Sequence, residues 1–246
     1  LLNHNNQEEY RDPINYDLEF GGETDKYDFF LQLAKKHPGH VLELACGTGL
    51  TTLYLAERGI RITGVDIVEP MLAYARIKAK ELPVDFIEAD ARIFESNQRY
   101  SMIYLTGNAF QAFLSDEDQT ALLRTIYKHL EPDGIFAFEM RNPDGTDLSD
   151  EEEESWGTFT DMDGATVKVS GTQTYDASKQ LMHWVTFRDW GHRQTTSRIV
   201  CRFTDVQTLK QLLDKQGFIL EHQYANWDQT SFQPSSPMVI SVCKKV

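Results

Sequence analysis

A chain of 246 residues with 41% hydrophobic content can bury a full α/β core, and fits one large domain, or one carrying an insertion, better than two. Acids outnumber bases 38 to 24, for a net charge of −14 and no basic cluster, which argues against a nucleic-acid or anionic-membrane partner. No apolar run approaches the ~20 residues of a membrane span, and Leu1–Tyr10 is polar rather than signal-like. The chain opens on Leu1 instead of Met, as expected of a start that is missing or trimmed.

In chain order, the first clear element is a short apolar run, His40–Cys46, that ends in Gly47-Thr48-Gly49. A helical pattern follows, with Leu50, Leu53 and Tyr54 on one face and Gly59 as its stop. Ile60–Asp66 reads as the second strand, and Pro70 stands at the start of a helix running to about Ala79. Phe86–Ala89 and Met102–Leu105 are the third and fourth strands. Ser115 with Asp118 three residues on forms a capping-box pattern for a helix carrying Leu122, Ile126 and Leu130. Asp133-Gly134 breaks that helix before a fifth strand, Ile135–Met140.

The pattern then changes. After Pro143 come an acidic stretch, Asp150 to Glu154, and three alternating segments, Thr166–Tyr175, Leu181–Trp190 and Thr195–Phe203, joined by hairpin-length turns. Thr204 and Gln207 suggest a second capping box, opening a helix with Leu209, Leu212 and Leu213 that Gly217 ends. Phe218–Tyr224 and Met238–Cys243 close the chain as strands. The expected fold is a doubly wound, seven-stranded, mostly parallel sheet with an antiparallel β insertion, residues 144–203, after strand five.

Cys46, Cys201 and Cys243 show no framework spacing, which suggests reduced thiols in a cytoplasm-like compartment. The seven histidines have no metal-ligand spacing, so no metal site is expected.

Glu43 demands explanation, because it sits in a strand expected to be buried on both faces, where an unpaired carboxylate costs several kcal/mol. Either it forms a structural ion pair or reaches water at a strand end, or it faces the crevice at the carboxyl end of the sheet, where open α/β folds bind ligands. Gly47 and Gly49, between strand and helix, let backbone approach a ligand. A dinucleotide fingerprint would want a small residue where Thr52 stands, so a pyrophosphate site is poorly supported. Asp66, at the end of the second strand, suits a pair of ribose hydroxyls; otherwise it caps the next helix. Asp90 suits an exocyclic amine or a simple turn cap. Acids at three successive strand ends fit a nucleoside that carries positive charge.

The runs V-L-E-L-A-C-G-T-G (Val41–Gly49), G-V-D-I-V-E-P-M-L (Gly64–Leu72) and F-I-E-A-D-A (Phe86–Ala91) resemble the signature of class I S-adenosylmethionine (SAM)-dependent methyltransferases in order and spacing. Leu130–Gly134 resembles the family's L-x-P-G-G, with Asp133 in place of a glycine. The resemblance covers about Asp12 to the C-terminus apart from the insertion. It implies SAM as cofactor, with Glu43, Gly47 and Gly49 at the methionine moiety, Asp66 at the ribose, Asp90 and Ala91 at the adenine, and Ile67 and Met71 against the adenosine. Ala45 and Leu105 join the implied cofactor contacts.

The end of the fourth strand, Leu105 to Gln111, lies where that family places reacting groups, and it departs from the N/D-P-P-Y/F type. Asn108 and Gln111 are candidates for orienting an acceptor, although Asn108 equally suits a turn cap. Tyr10–Asp17 resembles the cap of small-molecule members, with Tyr16 over the cofactor. Glu139 and Arg141 alternate to one side of strand five, either of them able to face the acceptor. The insertion is expected to act as a lid; its aromatics and histidines read as packing and turn residues, with His183 as a candidate base. The expected function is methyl transfer from SAM to an N or O nucleophile on a small molecule, without nucleic acid or membrane, and with a homodimer left open. The alternatives are a SAM-binding regulatory protein without turnover and, less well supported, a nucleotide-dependent oxidoreductase.

Overall fold

The computed structural model describes residues 4–22 and 24–246; Leu1–Asn3 of the polar start lie outside the described residues. Its main sheet has seven strands: β1 (Val41–Leu44), β2 (Ile62–Asp66), β3 (Asp85–Glu88), β4 (Tyr100–Leu105), β5 (Leu130–Arg141), β10 (Phe218–Tyr224) and β11 (Met238–Lys245). They lie in the order β3-β2-β1-β4-β5-β11-β10, and all run parallel except β11, which is antiparallel to β5 and β10. The order reverses between β1 and β4, so the connections leave the sheet in opposite directions there and open a crevice at the carboxyl ends.

Two-residue alternation decides which helix each strand residue meets. Leu42, Leu44, Ile103, Leu105, Phe136 and Phe138 share one core with α5 (Asp116–His129) and α6 (Val206–Gln216). Val41, Met102, Tyr104, Ile135 and Ala137 face the other way, onto Phe29, Phe30, Leu31 and Ala34 of α2 (Asp25–Lys36). Glu43 and Glu139 therefore point to the α2 side. Helices α3 (Leu50–Ala56) and α4 (Glu69–Ala79) link the first three strands, and α1 (Pro13–Phe20) lies against α4. No described helix is long and apolar enough to cross a membrane.

Several expectations need correction. The insertion holds four strands, not three: β6 (Glu151–Thr160), β7 (Thr166–Asp176), β8 (Leu181–Asp189) and β9 (Gln194–Arg202) form a second, antiparallel sheet in that order. The acidic stretch opens β6, an exposed edge strand, and charge on an edge opposes pairing with other chains. The cap of α6 is Asp205, which accepts from Thr208 N at 2.8 Å; Thr204 is fully buried and bonds Gln119 instead. Ser115 caps α5 as expected, accepting from Asp118 N at 3.1 Å, but the Asp118 carboxylate turns to Arg92 rather than back to the cap. Asp133 has φ 61°, the left-handed conformation for which a glycine would be the easier residue.

Candidate active site

The crevice at the carboxyl ends of the main sheet is a cavity of about 440 Å³, lined from four directions. Its floor comes from the β1 loop (Ala45, Gly47), the β2 end (Asp66, Ile67), α4 (Met71) and the β3 end (Asp90, Ala91). Thr106, Gly107 and Asn108 after β4, and Glu139 and Arg141 of β5, continue it on the opposite side. Trp184, Ile199 and Cys201 of the second sheet form one wall, and Tyr10, Tyr16 and Phe20 form the roof.

The loop after β1 turns sharply because Ala45, Gly47 and Gly49 all have positive φ, at 56°, 55° and 75°. A Cβ on Gly49 would also sit 3.0 Å from the Phe86 ring, so its glycine is required twice over. Gly47 N donates to Asp66 Oδ2 at 2.7 Å, and Val68 N donates to Asp66 Oδ1 at 2.8 Å. Asp66 thus locks the glycine loop to the β2 end, while each oxygen keeps a second lone pair for a ligand hydroxyl. Burial raises its carboxyl above the usual range, against these backbone N–H groups.

Asp90 is tied to its neighbour: Arg92 reaches it through the guanidinium at 2.6 Å and also bonds Asp118. Burial would raise the Asp90 carboxyl, but the Arg92 bonds outweigh burial and hold it low. Asp90 is charge-compensated, and lines the cavity with Ala91.

The roof is held at both ends. Thr48 and Lys78 both bond Asp17 of α1, fixing that helix over the glycine loop. The 3-10 turns over His4–Tyr10 dock on β9, where Asn6 exchanges bonds with Val200 N at 2.6 Å and Val200 O at 3.0 Å. Arg188 of β8 bonds both Glu9 and Glu19. Tyr16 stacks between Tyr10 at 5.9 Å and Phe20 at 4.9 Å, and burial pushes both tyrosine hydroxyls upward in pKa.

Not every expected site residue reaches the cavity. Glu43, Gly49, Leu105, Gln111 and His183 do not line it. Glu43 is 1% exposed and accepts from Thr52 and from Tyr104 Oη at 2.9 Å. Its alternation with Val41 carries it beneath the glycine loop, and burial pushes its carboxyl up to about 8, only partly offset by those two hydroxyls. Gln111 is fully buried and braces the second sheet, donating to Arg202 O at 3.1 Å and accepting from Arg141 N at 3.1 Å. His183 is exposed on β8, because its neighbour Trp184 takes the inward position. Trp184 is thus a wall residue, with the Arg141 guanidinium 5.0 Å from its ring centre. Tyr10, from the stretch read as a cap, lines the cavity beside Tyr16, and Phe113, Trp227 and Met238 line it without having been expected there. Only the alternation of 182–184 carried a signal for Trp184; the others depend on tertiary folding.

A family model described as "Methyltransferase domain" matches residues 41–134, the segment that builds the glycine loop and the β2 to β4 ends. Residues 41–134 thus carry a SAM-dependent methyltransferase domain. Over 103 residues the chain is 33% identical to the cypemycin N-terminal methyltransferase of a Streptomyces species, covering 42% of each chain. The chain spans 63% and 42% of the lengths of two of the curated relatives it matches. The methyltransferase CcbJ of Streptomyces caelestis superposes with a TM-score of 0.84 at 23% identity, covering 98% of this chain and 99% of its own. The sugar N-methyltransferase KedS8 of a Streptoalloteichus species does so with a TM-score of 0.73 at 18% identity, covering 92% of each. These superpositions include the second sheet's share of the chain and speak for the fold.

The cavity residues of the domain fit its cofactor. Gly107 lines the cavity, and a Cβ built there meets no atom within 4 Å. Asn108 Oδ1 and Glu139 Oε2 are buried acceptors without a hydrogen-bond partner among the described residues. The site is acid-rich at Asp66, Asp90 and Glu139, which suits a cationic nucleoside better than a pyrophosphate.

Proposed function

We propose that this domain transfers the methyl group of SAM to a small molecule bound beneath the N-terminal roof and the second sheet. The cavity supports this reading most directly: it is walled on four sides by one chain, with aromatic rings over the top. A polymer would have to enter past Tyr10, Tyr16 and the β8–β9 wall, and the net charge of −14 repels nucleic-acid phosphates.

In this reading Asp66 takes the ribose hydroxyls, and Ile67, Met71 and Ala91 pack on the adenine beside the Arg92-compensated Asp90. Ala45 and Gly47 present backbone to the methionine moiety, and Tyr16 covers it. When bound, SAM supplies an electrophilic methyl on a sulfonium. The chain's tasks are then to align the nucleophile and to keep water away. Tyr10, Tyr16 and Phe20 exclude water from above, and Trp184 and Ile199 from the side. Glu43, one layer below, holds Thr52 and Tyr104 together and so keeps α3 and the glycine loop in place. Residues 144–203 act as the lid of the acceptor side and, by docking His4–Tyr10, as the anchor of the roof.

The experiment is transfer from methyl-labelled SAM to a panel of small amines and alcohols, with RNA, DNA and mixed protein alongside. Label on at least one small molecule and none on the polymers is expected. Label that goes only to a polymer contradicts the reading, and SAM binding without turnover on any acceptor would favour a regulatory role.

A further inference from the structure

We propose that Glu139 and Asn108 together cradle the acceptor's nitrogen, so that the group methylated is an amine and not a hydroxyl; this rests on the cofactor reading above. Glu139 is 3% exposed, at the carboxyl end of β5. Its Oε1 is satisfied by Asn108 N at 3.0 Å and Thr106 Oγ1 at 3.2 Å, while Oε2 has no hydrogen-bond partner among the described residues. Asn108 precedes a 3-10 turn, but its side chain makes no capping bond, and its Oδ1 is likewise buried and unpartnered. Both residues line the cavity, and the strand order sets them at the ends of β4 and β5, across β1 from Asp66 and Asp90. That is the side left over once the nucleoside is placed.

A buried acceptor left unmade costs about 1–3 kcal/mol, and more when charged. Two of them side by side select a ligand with several donors. An alcohol brings one O–H and turns its lone pairs toward the remaining oxygen. An ammonium or amine brings two or three N–H groups, enough for both.

The chemistry balances on these atoms. The acceptor enters as R–NH3+, gives one proton to the Glu139 carboxylate, and holds a second N–H on Asn108 Oδ1. The freed lone pair forms the C–N bond as the S–CH3 bond breaks with its pair on sulfur, leaving R–NH2+–CH3 and a neutral thioether. The proton on Glu139 returns to solvent. Burial raises the Glu139 carboxyl, opposed by the Asn108 N–H and the Lys26 ammonium, which narrows its gap to an amine.

Sinefungin tests this without knowledge of the acceptor, because it carries an amine-bearing carbon where SAM carries the methylated sulfonium. Affinities of SAM, S-adenosylhomocysteine and sinefungin are measured by calorimetry for the parent and for Glu139→Gln, whose amide keeps Oε1 but presents N–H groups to the amine. The parent should prefer sinefungin to S-adenosylhomocysteine by about tenfold or more, the worth of a charge-assisted hydrogen bond. Glu139→Gln should lose most of that preference while its SAM to S-adenosylhomocysteine ratio holds within about twofold, since a sulfonium has no N–H to lose. An unchanged sinefungin preference overturns the proposal. So does an equal fall in both ratios, which would make Glu139 a counter-charge to any cation. Failure of all three ligands to bind the parent would instead defeat the cofactor reading. Asn108→Gly, which keeps the left-handed backbone and its bond to Glu139, must also weaken sinefungin selectively and decides the matter if Glu139→Gln does not fold.

Discussion

Glu43 is a carboxyl group sealed beneath the glycine loop, with two hydroxyl donors and, among the described residues, no ion-pair partner. Burial lifts its pKa from 4.5 to about 8. As pH rises above the unfolded value, the unfolded chain releases this proton and the folded chain keeps it. The stability present below about pH 4.5 is therefore lost progressively up to about pH 8. Glu43→Gln keeps an oxygen for Thr52 and Tyr104 but has no proton to lose. Its stability relative to the parent should thus grow between pH 5 and pH 8 by on the order of a few kcal/mol, at up to ~1.4 kcal/mol per pH unit. Denaturant titrations at the two pH values check this, and an equal difference at both would place the carboxyl in contact with water. The sequence made Glu43 conspicuous, and its strand position legible, but not its direction: whether residue 43 faces crevice or core depends on where α3 lays Thr52. Asp66 was easier, since the end of a strand in a doubly wound sheet has one place to point.

Arg188 joins elements far apart in sequence, binding β8 to Glu9 of the N-terminal turns and Glu19 of α1. Removing the cation leaves two shielded carboxylates facing each other, and breaking such a buried pair costs about 3–5 kcal/mol. Arg188→Met should therefore loosen the roof first. Amide exchange over residues 6–20 is expected to accelerate at least tenfold, about 1.4 kcal/mol of local stability, while β1 and β4 keep their protection. Unchanged exchange there would mean that the Asn6–Val200 bonds and the Asp17 contacts with Thr48 and Lys78 suffice to hold the roof. Strands β1 to β4 of the main sheet were readable because each carries apolar residues and ends at or near a glycine or an acid. Strand β6 was not, since Glu151–Glu154 has neither alternation nor apolar residues, and it pairs only because β7 offers an open edge. Helix α2 was missed in the sequence, although Phe29, Phe30 and Leu33 lie at helical spacing ahead of the recognisable motif.

At the scale of the molecule, one cavity is assembled from three parts: the strand ends of the main sheet, a second sheet inserted after β5, and an N-terminal roof pinned to both. The motif-bearing half of the sequence disclosed one side of the cavity, since Ala45, Gly47, Asp66, Ile67, Met71, Asp90 and Ala91 all line it. The opposite wall was mostly hidden, because Trp184, Ile199, Cys201, Trp227 and Met238 meet only through tertiary packing. The central claim is that this cavity is built for a cationic nucleoside and not for a dinucleotide. Calorimetry of the intact chain with SAM, S-adenosylhomocysteine and NAD tests it directly. The account predicts that SAM and S-adenosylhomocysteine bind with affinities of about 10 μM or tighter, roughly −7 kcal/mol, and that NAD gives no heat of binding. Binding of NAD without binding of SAM would contradict it.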